Sequence, residues 1–559
     1  MFDFAIRNAL ILDGTGAPGV MGSLGVIGDC VAALGAELGA SRESIDAGGL
    51  ALMPGIIDGH THYDAQVTWD PLVDPSPSLG VTTVVIGNCG FAIAPCRPAD
   101  RDLTMRNLTH VEGMSLDALR AGIRWDFETF ADYMAMLERQ GVGPNLAAYV
   151  GHSAVRTFVL GEDASRRVAN DAEIAQMADI VRDAMAQGAV GFATSTNEPH
   201  NGEGGIPMPS RLADDREMRA LVNAMGESGH GLFMLTKGSK TSVPYLESLA
   251  AESRRPVLIA AMLHSNTNPN KVFNEAAEMA AARTRGRRLY AQVSACPLTM
   301  DFTLRSPYVF ESIDAWKPAM EAHGDAVREV YRDAGFRSRV KEDLVRFYGM
   351  RLFNSEWDKV HVIETRDPAH RGFEGKDVAS LASKAGRHPL DWLLDLALAE
   401  DLDTVFTAQL KNSDLHAVAR LINDPDNHVS LSDAGAHLTF FCDAGFGLHL
   451  LGHWARDLDA IPLEQAARKL TGHPAQLFGI RDRGVLRVGA FADLLLFDPK
   501  TVARGPNQRL FDLPGKGARL RSPAFGVHGV WVNGQRMVDN NGLLENAPRP
   551  GKVLREFDS

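Results

Sequence analysis

His60 and His62 stand one residue apart in Asp58-Gly59-His60-Thr61-His62, directly after the apolar run Leu52-Met53-Pro54-Gly55-Ile56-Ile57. Such a run reads as a buried strand. Side chains two apart on a strand share a side, so both imidazoles aim at one point past the strand end. Converging imidazoles make half of a divalent-metal site, with zinc the first expectation. A pair of hydrogen-bonded turn histidines is the alternative for an isolated His-x-His. Cys89 follows a second run, in Val84-Val85-Ile86-Gly87-Asn88-Cys89-Gly90. Its thiolate is a good zinc ligand and can bridge two metals, although a free cysteine is more often a small core residue. His264 follows a sixth run and could complete such a site, or lie solvated in a loop. His152 and Arg156 follow a third run and are assigned to substrate or to supporting the site, with a plain salt-bridged arginine as the alternative.

These residues need a scaffold that brings strand ends together. Apolar runs recur at Leu52–Ile57, Val81–Ile86, Leu146–Val150, Ala189–Ala193, Leu232–Leu235, Val257–Met262, Leu289–Val293 and Val429–Leu431. Helical stretches such as 171–187 and 214–229 separate most of them. Regular alternation argues for a parallel sheet with right-handed crossovers. Eight runs fit a (β/α)8 barrel over 51–483, whose chemistry sits at the C-terminal strand ends. The interval 298–427 exceeds what a crossover needs; it is expected to be an inserted cap and to include a charged helix over 325–347. Residues 1–50 and 484–559 read as short strands with Gly-rich turns. Neither piece buries much apolar surface alone, so the two ends are expected to combine into a small β-sandwich.

Pro54-Gly55-Ile56-Ile57-Asp58-Gly59 leading into the histidine pair resembles the first-strand signature of the amidohydrolase superfamily. Gly489-Ala490-Phe491-Ala492-Asp493-Leu494 resembles its closing strand. Gly87-Asn88-Cys89-Gly90, Thr61-His62-Tyr63-Asp64-Ala65-Gln66 and Val150-Gly151-His152-Ser153-Ala154-Val155-Arg156 narrow the resemblance to the D-aminoacylase (N-acyl-D-amino-acid deacylase) family. It covers most of the chain and is weakest between about 194 and 428. The resemblance implies that Cys89 is a zinc ligand. It implies that Asp433, in Ser432-Asp433-Ala434-Gly435-Ala436-His437, is the general base and acid acting on metal-activated water, with a helix N-cap as the alternative. His437 is assigned to substrate or to supporting the site.

Two positions depart from the family pattern. The sixth-strand ligand lies in an Ile-Ser-His-like triplet, where this chain has Ile259-Ala260-Ala261; His264 must therefore be reached by a longer strand or shifted turn. The fifth strand of the family ends in Thr-His, where this chain has Thr236-Lys237. Protonated lysine has no lone pair for a metal. Lys237 is either a carbamylated ligand, a positive charge for a substrate carboxylate, or the mark of a reduced metal site.

The chain has 559 residues, 45% hydrophobic and 23% charged, with a net charge of −13. That balance argues against nucleic-acid or anionic-membrane partners. Five cysteines do not make a disulfide framework. No signal peptide or spanning run is read, so a soluble cytoplasmic protein is expected. The function expected is zinc-dependent hydrolysis of an amide C–N bond, with about one or two zinc ions per chain and an N-acyl (D-)amino acid as substrate. A cyclic-amide hydrolase of the same superfamily and a barrel that has lost catalysis are the other two readings.

Overall fold

The apolar run before the histidine pair is divided at Gly55. Residues before it join one sheet and residues after it another. A Cβ at Gly55 would lie 2.1 Å from the Thr82 side chain, so only glycine lets the chain pass from one sheet to the other here. The computed structural model describes residues 1–346 and 351–559, the side chain of His110 excepted. It comprises two compact units, Met1–Met262 with Phe273–Ala295 and Ala419–Ser559, and Leu263–Val272 with Cys296–Val418.

The chain begins with β1 (Phe2–Ile11), β2 (Val20–Ile27), β3 (Cys30–Gly35), β4 (Ser41–Asp46) and β5 (Ala51–Pro54). Then come β6 (Ile56–Asp58), β7 (Val81–Ile86), β8 (Asn145–Gly151), β9 (Gly191–Ser195), β10 (Leu232–Thr236), β11 (Val257–Ala260) and β12 (Leu289–Val293). The second unit holds β13 (Leu298–Phe302), β14 (Val360–Glu364) and β15 (Val405–Lys411), and β16 (His428–Val429) returns to the first. β17 (Leu494–Phe497) is followed by two small ribbons, β18 (Ala503–Arg504) with β21 (Ala524–Phe525) and β19 (Gln508–Leu513) with β20 (Gly517–Arg521). The last strands are β22 (Val527–Val532), β23 (Gln535–Asp539) and β24 (Gly542–Leu543).

The parallel sheet runs β6-β7-β8-β9-β10-β11-β12-β16. Every residue of β7, β10 and β11 is buried, as a parallel sheet covered on both faces requires. The helices Asp171–Ala186 and Asp215–Gly226 occupy two of the crossovers. Asn170 and Glu173 form a capping box at the first, and Asp214 caps the second.

Both chain ends share one nine-stranded sheet, in the order β24-β23-β22-β17-β5-β1-β2-β3, with β4 beside β1. Its apolar face includes Phe4, Ile6, Leu24, Val26, Leu494 and Trp531, each worth about 1.5–3 kcal/mol when fully buried. The buried Asp493 carboxylate ties this sheet to β8. It accepts from Asn145 Nδ2 at 3.0 Å and from the Asn533 N–H at 2.8 Å, and it pairs with Arg483.

The second unit is built on the antiparallel sheet β13-β15-β14 and a cluster of aromatic rings. Phe310 stacks on Trp316 at 4.1 Å between centroids. The charged stretch forms two helices rather than one, Asp325–Arg332 and Ala334–Val345. Asp333 breaks it by accepting from the Gly335 and Phe336 N–H groups, which makes it the N-cap of the second helix. The last residue of the expected 325–347 helix, Phe347, lies outside the described residues. Among the described residues, no helix is long and apolar enough to cross a membrane.

Candidate metal centre and active site

Backbone pairing continues past β6 and holds the histidine pair in register. Gly59 N–H donates to Ser430 O at 2.9 Å, Thr61 N–H to Val85 O at 3.1 Å and His62 N–H to Ala434 O at 2.7 Å. Asp433 N–H returns to His60 O at 3.0 Å. This extended stretch puts both imidazoles on one side, with ring centroids 5.3 Å apart.

Cys89 meets them from the end of β7. Its Sγ lies 3.5 Å from His60 Nε2 and 3.9 Å from His62 Nε2. The turn that presents it is left-handed, with φ of 81° at Gly87, 56° at Cys89 and 75° at Gly90. A Cβ on Gly87 would come within 2.7 Å of Tyr149 O, and one on Gly90 within 2.7 Å of Ala193 O. Both glycines are therefore needed for the thiol to reach the histidines. Asp433 also has a left-handed backbone, φ 58°. Its Oδ1 sits 3.0 Å from His62 Nε2 and 3.5 Å from His60 Nε2. Such conformations are costly for non-glycine residues and gather at functional sites.

The donor set fits a divalent metal ion. Ligand atoms arranged tetrahedrally at bond lengths of about 2.0–2.3 Å lie about 3.3–3.8 Å from one another. Cys89 Sγ lies 3.5 and 3.9 Å from the two Nε2 atoms, and Asp433 Oδ1 lies 3.5 and 3.0 Å from the same two nitrogens. His60, His62 and Cys89 also stand out as a buried group with metal-ligand spacing. The electrostatics agree. Burial opposes a charge on Cys89, yet the His60 and His62 imidazoles outweigh it and hold the thiol below its ordinary range. Burial likewise opposes the Asp433 charge, and the His62 hydrogen bond with both imidazoles overrides it. Asp433 is 22% exposed, against 3% and 4% for the His60 and His62 side chains, so the site opens on the carboxylate's side.

Each candidate ligand has a partner behind it. His60 Nδ1 faces Gln292 Oε1 at 2.8 Å, and the Gln292 amide donates to Ser430 O and Oγ. His62 Nδ1 faces Glu112 Oε1 at 3.1 Å. Cys89 Sγ lies 3.0 Å from Thr236 Oγ1. Sequence reasoning missed these roles for Gln292, Glu112 and Thr236. A glutamine inside the otherwise apolar strand Leu289–Val293 was the one available signal; Glu112, at a helix end, gave none.

Other expected site residues are placed differently. Lys237, read as a carbamylated ligand, a charge for a substrate carboxylate or the mark of a reduced metal site, has its Nζ donating to Glu275 Oε1 at 2.8 Å. It follows Thr236, whose side chain reaches Cys89, and successive strand side chains point to opposite faces. His264 belongs to the second unit, where its N–H donates to Asn412 Oδ1 at 2.8 Å, and it is not part of the three-residue metal group. β11 ends at Ala260, four residues before His264.

His152 and Arg156 were assigned to substrate or to supporting the site, with a plain salt-bridged arginine as the alternative. Both side chains are wholly buried against Glu217, from the first turn of Asp215–Gly226. His152 Nε2–H donates to Glu217 Oε1 at 2.8 Å, its Nδ1 lies 2.7 Å from Thr194 Oγ1, and Arg156 pairs with Glu217 Oε2. Burial opposes the Glu217 charge, but the histidine and arginine outweigh it and keep the carboxyl ionised. Their polar atoms are committed inside the protein and leave none for a substrate. His437 lies beside the site, its Nε2 3.8 Å from Asp433 Oδ2 and its ring 5.2 Å from Phe440.

A family model described as "Amidohydrolase family" matches residues 43–538. A D-aminoacylase of Alcaligenes xylosoxydans xylosoxydans is 29% identical over 552 residues, 95% of this chain and 94% of that protein. An uncharacterized protein of Mycobacterium tuberculosis is 31% identical over 531 residues, 89% of this chain and 85% of its own. Among solved structures, a D-aminoacylase with a binuclear metal centre aligns over 100% of both chains at 25% identity with a TM-score of 0.67. An N-acyl-D-glutamate deacylase from Bordetella bronchiseptica, complexed with zinc and a phosphonate mimic of the tetrahedral intermediate, covers 99% of this chain and 100% of its own at 25% identity, TM-score 0.66. The chain belongs to the amidohydrolase family and is a hydrolase of carbon–nitrogen bonds other than peptide bonds.

Proposed function

We propose that this chain is a zinc-dependent deacylase of N-acyl amino acids, with the D series as its substrates. The observation that carries the reading is the convergence of His60 Nε2, His62 Nε2 and Cys89 Sγ, with Asp433 Oδ1 beside the two imidazoles. Two imidazoles and a thiolate suit zinc better than the hard, oxygen-seeking cations. The relatives named as D-aminoacylase, N-acyl-D-aspartate deacylase and N-acyl-D-glutamate deacylase supply the substrate class. The backbone bonds that join Gly59 and His60 to Ser430 and Asp433 support reading the eight parallel strands as a closed (β/α)8 barrel.

His60, His62 and Cys89 would hold the ion, with Asp433 at its open side. A zinc ion there supplies Lewis acidity toward the amide carbonyl and makes water a competent nucleophile near neutral pH. Asp433 takes the proton from the attacking water and delivers it to the departing nitrogen, so one carboxylate serves as base and then acid. The products are a carboxylic acid and a free amino acid. His437 stands where it can contact the acyl or carboxylate end of the substrate.

Metal analysis of protein purified with zinc supplementation tests the first part, and about one or two zinc ions per chain are expected. Rates on N-acetyl-D-amino acids, N-acetyl-L-amino acids and small cyclic amides test the second, with the D-acyl compounds expected to be hydrolysed fastest. A protein that takes up no metal and hydrolyses none of them is a scaffold, and the reading fails. Turnover of cyclic amides alone would replace the substrate class while leaving the metal site standing.

A further inference from the structure

The three candidate ligands differ in what stands behind them. His60 is backed by a neutral amide, Cys89 by a hydroxyl and His62 by a carboxylate. That carboxylate, Glu112, follows the helix Arg101–Val111 as its C-cap. Its side chain is 4% exposed. Among the described residues, neither of its oxygens, nor His62 Nδ1, has a hydrogen-bond partner. The two groups face each other, His62 Nδ1 lying 3.1 Å from Glu112 Oε1. A carboxylate this deeply buried is costly to ionise unless a positive charge compensates it.

We infer that Glu112 is the positioning residue of the metal site, fixing the His62 tautomer and adding the negative charge that sets metal affinity. The inference rests on the metal-site reading above. Both ring nitrogens of His62 face a carboxylate, Nδ1 that of Glu112 at 3.1 Å and Nε2 that of Asp433 at 3.0 Å. A cation taken up at Nε2, the atom that also faces Cys89, would replace the proton there and leave the Nδ1 proton directed at Glu112. A cation bound at Nε2 makes the Nδ1–H more acidic and its contact with Glu112 stronger, and the carboxylate in turn makes Nε2 a better donor. Gln292 can fix the tautomer of His60 but adds no charge. Glu112 also accepts from the Leu438 N–H through its carbonyl at 3.3 Å, so one residue braces both His62 and the segment that follows Asp433.

The test uses the full chain, stripped by a chelator and titrated with zinc against a chromophoric competitor. Glu112→Gln keeps size and an accepting oxygen but removes the charge; Glu112→Ala removes both. Zinc affinity is expected to fall about 10-fold in the first and about 100-fold in the second. The thiolate-to-metal absorption of the cobalt-loaded protein should persist in both, because Cys89 is untouched. Nitrogen-15 spectra of the zinc-loaded wild type should show His62 protonated at Nδ1. Affinities within twofold of wild type in both variants, or a His62 without a proton at Nδ1 in the zinc-loaded protein, overturn the inference while leaving the metal site intact. A wild-type chain that binds no zinc overturns the site itself. Should Glu112→Ala not fold, the near-isosteric Glu112→Gln decides the matter.

Discussion

Asp433→Asn is expected to slow amide hydrolysis about 1,000-fold or more, the scale of a lost general acid–base group, while leaving the metal content of the protein near that of the wild type. Asparagine is the discriminating substitution because it preserves everything except proton transfer. It matches aspartate in size, and it is among the few residues that tolerate a left-handed backbone, which this position adopts at φ 58°. Its amide oxygen can still lie near His62 Nε2, where Oδ1 stands at 3.0 Å. An amide cannot carry a proton from water to a departing nitrogen. On the proposed reading, His60, His62 and Cys89 would remain to hold the ion. Asp433→Ala would lose activity too, but it would put alanine into a strained backbone and confuse the cause. The measurements are kcat on the best N-acyl substrate and zinc per chain on the same preparation. Full turnover in Asp433→Asn would remove this residue from the mechanism; a parallel loss of metal would make it chiefly a ligand.

How much of this could be read from the sequence depended on range. The histidine pair was legible because a period of two and an adjacent apolar run are local features, and those fix where both rings point. Cys89 and Asp433 were read from their places after apolar runs together with the resemblance to the family, which supplied their roles. The eight strands emerged from alternation alone. The division at Gly55 did not, because Leu52–Ile57 is uniformly apolar and the split is enforced by Thr82, well along the chain. Glu112 and Gln292 are 50 and 232 residues from the histidines they face, and no local pattern marks such a partner. The break at Asp333 was hidden because an aspartate in a charged helical stretch reads as one more solvated residue.

His152 and Arg156 carry a different lesson: their position after a strand left substrate contact, a supporting role and a salt-bridged arginine open, and their burial against Glu217 favours the last. The consequence is a stability prediction. Glu217→Ala is expected to destabilise the fold by about 3–5 kcal/mol, because it leaves the Arg156 guanidinium buried with its partner gone. Glu217 accepts from His152 and pairs with Arg156 at no measurable exposure, so water cannot substitute for the lost carboxylate. Arg156 keeps its bonds to Ala164 O and Arg167 O, but carbonyls do not neutralise a full charge. Removing both charges should be milder: a Glu217→Leu and Arg156→Met double variant is expected to recover much of the loss, since a well-packed apolar pair often matches a buried ion pair. The exposed pair of Arg106 with Asp102, 49% and 45% exposed, is the control, and Asp102→Ala should change stability by less than about 1 kcal/mol. Denaturant midpoints of the four proteins, followed by circular dichroism and intrinsic fluorescence, make the comparison. If Glu217→Ala unfolds with the wild type and instead raises KM alone, then the trio does reach the substrate, and the burial argument is wrong.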